Sequence, residues 1–413
     1  MRILIVEEAL RAGNGHWPRY IADLATGFRR EGDTVDILGH RDANEKVLSV
    51  VLDVTPWLSR DCRVDPRSIG FLGGIRHNWS HYRDLSRWLR SNSEYDWILS
   101  LSSRPKHLLA YVILAQRFRR HRTKFLLLFV LSPGKRNAEG EIAWSLSNVF
   151  AKSCFKLLRL AASRGQVVIA AETDRMRAEI QDFCGLPTTL FPHPVDLPIA
   201  KDQQSATLTR DHRQANKTIR IVAPGLARHE KGSDLLQAAI KIWLARHKPE
   251  EPTVKFILQW PEPFPLPNGE ICAPDPQLTA DGHVEFCTEL LTGDSYVDFL
   301  RQADLIVLPY RAAAYQARVS RVAIEAAMLG KPIIYTEQTW IREVADRVGT
   351  GVAFTPESPE AISEAISKAL DRIDELKHLA DRGSQHIRNF YTTSKFRGLL
   401  CDHLASSPYQ ECK

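Results

Sequence analysis

The sequence is poor in cysteine and methionine, and it has no long stretch of uncharged apolar residues. Its seven cysteines in 413 residues are scattered and form no C-x-x-C pair, which argues against a disulfide framework or a zinc ribbon and favours a reducing compartment. The longest apolar run, Phe125 to Leu131, is far shorter than the roughly 18 residues of a membrane span. Because the first residues lead directly into a strand pattern, we expect no secretory signal and a cytoplasmic protein.

The net charge is modest and unevenly distributed. The formal charge is +6, and residues 1–200 hold 29 Lys and Arg against 21 Asp and Glu, so the surplus lies in the first half. Such a surplus predicts either an ordinary solvated face or a surface that meets an anionic acceptor or the inner face of an anionic membrane. We expect no nucleic-acid partner.

The chain begins with a β-α-β pattern. A strand at residues 2–6 is followed by a turn containing Gly13, Gly15 and His16, an amphipathic helix ending near Arg30 and a second strand. The turn has G-x-G, but Pro18 stands at the third glycine position of a dinucleotide fingerprint, which argues against a dinucleotide oxidoreductase. A tight turn that binds nothing is the simpler alternative.

The most unusual content lies in residues 304–335, which read as strand, loop, helix and strand. Apolar residues recur at helical spacing from Val319 to Ala327, and Gly330 and Pro332 end that helix. The loop and first turn hold Arg311, Tyr315, Arg318, Ser320 and Arg321. A helix N-terminus with a hydroxyl and guanidinium groups predicts an anion pocket.

One turn further on, Glu325 adds a carboxylate that cannot serve a phosphate. It can accept hydrogen bonds from a sugar or ribose hydroxyl next to the pocket. The simpler alternative is an exposed helix face with ion pairs, since Arg321 and Glu325 stand four residues apart.

This spacing resembles a known nucleotide-sugar site. The pattern Y-x-x-R-x-S-x-x-x-x-E-A-x-x-x-G-x-P falls on Tyr315, Arg318, Ser320, Glu325, Ala326, Gly330 and Pro332. It is similar to that of glycosyltransferases with the two-Rossmann-domain GT-B fold, in particular the large retaining family 4 (glycosyl transferases group 1). A second resemblance is Gly225 after a strand, followed by Arg228 to Gly232. Many members have another glutamate eight residues before Glu325, where this chain has Ala317.

The resemblance implies a role for each matching residue. Arg228 and Lys231 would neutralise the departing diphosphate, and Glu325 would hold the ribose. Further donor-binding residues would be Gly13, Gly15, His16, Gly225, Thr288, Tyr315, Arg318, Ser320 and Arg321, and Ser103 and His107 would lie on the acceptor side. The resemblance implies no protein nucleophile, metal or cofactor beyond the nucleotide-diphosphate-sugar co-substrate.

The resemblance also implies the architecture: an α/β protein with two Rossmann-like domains facing across a cleft. We expect an N-terminal acceptor domain over 1–198, a polar linker over 199–217 and a nucleotide-sugar domain over 218–385, with a helix from about 386 to 413 packing back on the first domain. The predicted reaction is retaining transfer of a sugar to a hydroxyl acceptor, as in polysaccharide biosynthesis. Two alternatives stay open: a nucleotide-sugar 2-epimerase, and a non-catalytic sugar-nucleotide-binding protein, which Ala317 favours.

Overall fold

A computed structural model describes residues 1–11, 17–92, 94–135, 141–197, 218–246, 254–291 and 293–405. The chain forms two compact units: unit 1 comprises Met1–Val195 and the chain from Tyr391 onward, and unit 2 comprises Asp196–Phe390. The linker predicted over 199–217 lies outside the described residues. No helix in the described ranges is long and apolar enough to cross a membrane.

Unit 1 contains a seven-stranded parallel sheet with the order β3-β2-β1-β4-β5-β6-β7. Its strands are β1 (Arg2–Val6), β2 (Thr34–His40), β3 (Val54–Leu58), β4 (Trp97–Ser100), β5 (Lys124–Phe129), β6 (Val167–Ala171) and β7 (Thr188–Leu190). The central strands are buried on both faces, as continuous apolar runs such as KFLLLF require in a parallel sheet.

Helices cover both faces of this sheet. They are α1 (Trp17–Arg30), α2 (Glu45–Val50), α3 (Gly70–Ser91), α4 (Pro105–Arg117), α5 (Leu146–Ser163) and α6 (Asp174–Cys184), with a 3₁₀ turn at Pro66–Ser68. The chain returns to unit 1 near its end: the rings of Phe28 and Phe396 lie 6.1 Å apart, and Arg397 donates to Asp33 at 2.7 Å. The predicted C-terminal helix therefore packs against α1.

Unit 2 contains a six-stranded parallel sheet with the order β12-β9-β8-β13-β14-β15, and a two-stranded hairpin of β10 and β11. The strands are β8 (Ile219–Ala223), β9 (Val254–Gln259), β10 (Phe264–Pro265), β11 (Ile271–Cys272), β12 (Val284–Cys287), β13 (Leu305–Leu308), β14 (Ile333–Thr336) and β15 (Val352–Phe354).

The helices of unit 2 follow these strands in turn. They are α7 (Ser233–Arg246), α8 (Pro276–Thr279), α9 (Gly293–Arg301), α10 (Ala312–Tyr315), α11 (Arg321–Met328), α12 (Ile341–Val348), α13 (Pro359–Asp371) and α14 (Ile373–Phe390); α15 (Thr393–Ala405) belongs to unit 1. A 3₁₀ turn, His229–Lys231, precedes α7.

Three elements differ from the sequence prediction. The sequence of residues 50–93 predicts no regular structure apart from an amphipathic helix at 78–89, but these residues contain β3 and the longer helix α3. The apolar spacing over 359–381 predicts one helix, but the structure has two, α13 and α14. β3 lies at the edge of its sheet, where Pro56 is tolerated because the outer side of the strand needs no amide donor.

Each sheet has a point at which the strand order reverses. In unit 2, β8 lies between β9 and β13, so the chain leaves β8 toward one side and reaches β13 on the other. Ligands of open α/β sheets bind at the carboxyl ends of the strands at such a point. The loops after β8 and β13 are therefore the place to search for a site.

Candidate nucleotide-sugar site

The residues of both sequence motifs lie at the carboxyl edge of the unit 2 sheet. β8 and β13 pair in parallel, with Ile221 opposite Leu305 and Val222 opposite Ile306. The loop 224–232 follows the first strand, and the loop 309–320 follows the second. Two motifs more than 80 residues apart in sequence therefore adjoin because parallel strands end at the same edge of a sheet.

Gly225 lies in the first loop, next to the Lys231 side chain. Its φ is +86°, a backbone conformation that favours glycine, and a Cβ atom there would lie 2.6 Å from Nζ of Lys231, which would have to move aside. Its backbone N–H donates to Oε1 of Gln259 at 2.6 Å, and Gln259 ends the neighbouring strand β9. The lysine side chain thus crosses directly over the glycine backbone.

The environment of Lys231 is unusually unfavourable for a charged amine. Burial, and then the Arg228 and Arg318 guanidinium groups, lower the pKa of Lys231 to about 8, while Glu230 and Glu325 act in the opposite direction. Its Nζ lies 5.6 Å from the centre of the Tyr310 ring. A cation held in this way gains stability when an anion binds beside it.

Glu230 links the two arginines near this lysine. Its carboxylate lies 3.7 Å from Nη1 of Arg228 and 3.5 Å from Nη1 of Arg318. The guanidinium of Arg318 also lies 5.0 Å from the centre of the Tyr315 ring, which is 5% exposed. The Tyr315 ring therefore packs against the Arg318 guanidinium.

The N-terminus of α11 supplies the second half of the site. Ser320 is the N-cap, and its Oγ accepts from the backbone N–H of Ala323 at 3.2 Å, as the capping preference of serine predicts. One turn later, Glu325 is buried and accepts from Nε of Arg321 at 2.7 Å. The ion pair of the simpler alternative therefore exists, but it is buried and not on an exposed face.

A tyrosine that the sequence analysis did not identify also faces Glu325. Burial and then the Glu325 carboxylate raise the pKa of Tyr296, on α9, well above its usual range. Tyr296 and Arg321 both hold the Glu325 carboxylate in place. No local pattern in the sequence connects positions 296 and 325.

Arg311 holds the two loops together. Its backbone N–H donates to the Glu230 carbonyl at 3.0 Å, its Nε donates to the His229 carbonyl at 3.0 Å, and its Nη2 donates to Asp234 at 2.6 Å. Its charge is therefore used within the protein.

The remaining predicted residues lie apart from this group. Thr288 is exposed and follows β12, the edge strand two positions from β8, about 10 Å along the sheet. Ser103 is buried and donates to the Ser100 carbonyl at 3.1 Å, and His107 is buried at the start of α4. Gly13, Gly15 and His16 lie outside the described residues. The acceptor-side roles of Ser103 and His107 stay predictions.

A comparison with protein families finds a match within unit 2. Residues 218–372 match the family model described as Glycosyl transferases group 1. This range contains both motifs and the whole group around Lys231. No curated protein sequence matches the chain.

Solved structures share the fold over nearly the whole chain. An Anabaena protein, Alr3699/HepE in complex with UDP-glucose, is 14% identical with a TM-score of 0.60, covering 98% of this chain and 100% of that chain. A glycosyltransferase from Rickettsia africae is 15% identical with a TM-score of 0.64, covering 98% of each chain. Sucrose-phosphate synthase from Thermosynechococcus elongatus is 15% identical with a TM-score of 0.64, covering 98% and 99%.

The chain is an α/β protein with the GT-B fold, as the sequence predicted. Residues 218–372 of its second unit match the glycosyl transferases group 1 family model, and this match supports sugar transfer as its class of activity.

Proposed function

We propose that the chain transfers a sugar from a nucleotide-diphosphate-sugar donor to a hydroxyl acceptor with retention of anomeric configuration. The observation that carries this proposal is the position of Lys231. Lys231 is half-buried, its amine is destabilised by two arginines, and it lies next to the Gly225 backbone at the carboxyl edge of the sheet. Such a site gains most from an anionic ligand.

The leaving group supplies that anion. As the bond between the sugar and the diphosphate breaks, negative charge develops on the departing phosphate. A cation about 4 Å away contributes on the order of 4 kcal/mol at an effective dielectric of about 20. Lys231, Arg228 and Arg318 provide this stabilisation, and Ser320 at the N-terminus of α11 binds the distal phosphate.

Glu325 fixes the donor through its ribose. Its carboxylate is buried and is already held by Arg321 and Tyr296, so little orientation is lost when a hydroxyl donates to it. Ala317 stands where many family members have a second glutamate, so contacts to the transferred sugar must come from other groups. The acceptor proton passes to the leaving phosphate, and no protein nucleophile takes part.

The experiment has two parts. Titration with UDP, GDP, ADP, dTDP and CMP identifies the base, and the matching sugar nucleotides are then tested for hydrolysis and transfer. Lys231→Met should abolish binding, whereas Lys255→Met should not, since Lys255 lies in β9 and pairs with Glu285. Product stereochemistry, read by proton NMR, tests retention.

Other outcomes would support the alternatives. Tight nucleotide binding without hydrolysis or transfer supports a non-catalytic binding protein. Conversion of the donor to its C2 epimer supports the epimerase. Equal binding by wild type and Lys231→Met would contradict the proposed site.

We also propose that unit 1 contacts an anionic membrane through α3 and α5. The two helices meet near their N-termini, where the Phe71 and Phe150 rings are 5.9 Å apart. They carry seven Lys and Arg and one acidic residue, the buried Asp84. Apolar side chains stand exposed among these charges, including Trp79 at 60% and Leu157 at 57%. Exposed apolar and basic groups on one helix face are typical of interfacial helices.

Vesicle sedimentation tests this contact. The protein should sediment with phosphatidylglycerol-containing vesicles and not with pure phosphatidylcholine vesicles. Trp79→Ser combined with Leu157→Ser should lower binding. Leu290→Ser is the matched control, because that side chain is 64% exposed but belongs to unit 2. Equal loss in both variants would contradict the assignment.

A further inference from the structure

Unit 1 contains a second cluster of chemically active side chains, independent of the donor site. Glu8, Cys62, His77 and His107 each offer one donor atom, and these atoms all lie within 4.8 Å of one another. Each residue is at most 5% exposed. They come from four separate segments: the turn after β1, the loop before the 3₁₀ turn, α3 and the start of α4.

The distances within the cluster are short. Nε2 of His77 lies 3.0 Å from Oε2 of Glu8, and Nε2 of His107 lies 3.2 Å from Oε1. Ser68 Oγ lies 3.0 Å from Nδ1 of His77, so that ring presents Nε2 to the cluster. The backbone N–H of Cys62 donates to Oε1 of Glu8 at 2.8 Å, which holds the loop against the carboxylate.

The buried imidazole of His107 is the decisive feature. Among the residues that the structure describes, its Nε2 makes no well-aligned hydrogen bond, although Oε1 of Glu8 lies 3.2 Å away. A buried ring nitrogen that faces a carboxylate without a well-aligned hydrogen bond is uncommon and needs an explanation. A cation between the carboxylate and the ring nitrogen would satisfy both groups.

We propose that Glu8, Cys62, His77 and His107 bind a structural zinc ion. Donors bound tetrahedrally at about 2.0–2.3 Å lie roughly 3.3–3.8 Å apart, so atoms within 4.8 Å of one another reach that arrangement by shifts of up to about 1 Å. Two imidazoles and a thiolate favour zinc over calcium or magnesium. The thiol loses its proton to solvent on binding, and a thiolate and a carboxylate then balance the charge of Zn²⁺.

Four protein ligands close the coordination sphere, which is typical of a structural site. The ion would join the end of β1 to α3 and α4 and to the loop at residue 62. Ser68 would act as the outer partner of His77 by accepting from Nδ1–H.

A metal-free network is the competing state. The backbone N–H of Arg104 donates to Nδ1 of His107 at 3.3 Å, which places the ring proton on Nε2. In the zinc-bound state Nδ1 would carry the proton and this long contact would open. The two states predict different metal contents and different spectra.

The first measurement is the zinc content of the wild-type full-length protein by mass spectrometry. We expect about one zinc per chain after gel filtration, retained against a weak chelator. The second is Co²⁺ reconstitution, which should give intense tetrahedral d–d bands and a thiolate charge-transfer band. Wild-type protein that retains no metal, and binds Zn²⁺ or Co²⁺ no better than stoichiometric chelator, would overturn the proposal.

Variants locate the ion. Cys62→Ser should lose the thiolate band, and His77→Gln should lose most of the bound metal. Cys154→Ser is the matched control, because this buried thiol lies on α5 outside the cluster and its loss should leave the spectrum unchanged. A thiolate band that survives in Cys62→Ser would contradict the ligand set. The wild-type measurements decide the question even if a ligand variant fails to fold.

Discussion

Donor binding should weaken as pH rises through about 8, because the binding cation is itself titratable. The pKa of Lys231 in the ligand-free protein is about 8. A bound diphosphate raises that pKa, so binding is at full strength when the amine is protonated and falls when it is not. If the bound-state pKa exceeds 10, the dissociation constant increases by about tenfold between about pH 7 and pH 9.

Isothermal titration calorimetry with the nucleoside diphosphate that binds is the direct assay. Titrations in two buffers with different ionisation heats give the number of protons taken up, which should approach one near pH 9 in the wild type. Lys231→Arg keeps the charge at every pH and should lose the pH dependence. No proton uptake by the wild type, or an equal slope in the arginine variant, would refute the reasoning.

Three further predictions concern single residues of the site. Lys231→Met should raise the free energy of unfolding by about 1–3 kcal/mol at pH 7, measured by urea denaturation, since a lysine whose folded pKa is lowered destabilises the fold until pH passes its unfolded value. Glu230→Gln should tighten nucleoside diphosphate binding several-fold at low salt by freeing two arginines, and an unchanged affinity would contradict this. Gly232→Ala should lower the free energy of unfolding by about 3 kcal/mol, because its Cβ would lie 1.9 Å from the Pro309 carbonyl oxygen. Gly32→Ala is the control, since Gly32 also has a positive φ but has no described atom within 4 Å of a Cβ. It should lower the free energy of unfolding by only about 1 kcal/mol.

The sequence predicted the second unit well because its motifs act over short distances along the chain. Ser320 caps the helix that it precedes, and Glu325 meets Arg321 one turn away. In the structure β8 pairs with β13, which brings Lys231 to the same edge. Glu230 lies within the first sequence motif, but its ion pair with Arg318 forms only because β8 pairs with β13.

The first unit was harder to predict because its polar groups are buried. Helix α3 turns His77, Asn78, Ser80 and His81 inward, so its buried face does not appear as an apolar stripe. Pro56 made β3 hard to predict, because a strand tolerates proline only at the edge of a sheet, where β3 lies. The four residues of the proposed zinc site have no local spacing in common, and only the tertiary fold brings them together.

The most direct measurement is the melting temperature of wild type, Lys231→Ala and Glu325→Ala with UDP, GDP, ADP, dTDP and CMP. We expect one nucleoside diphosphate to stabilise the wild type, since ligand at 100 times its dissociation constant adds about 2.7 kcal/mol. Both variants should melt cooperatively and lose that stabilisation. A wild-type protein that melts cooperatively but responds to none of these nucleotides would contradict the proposed donor site.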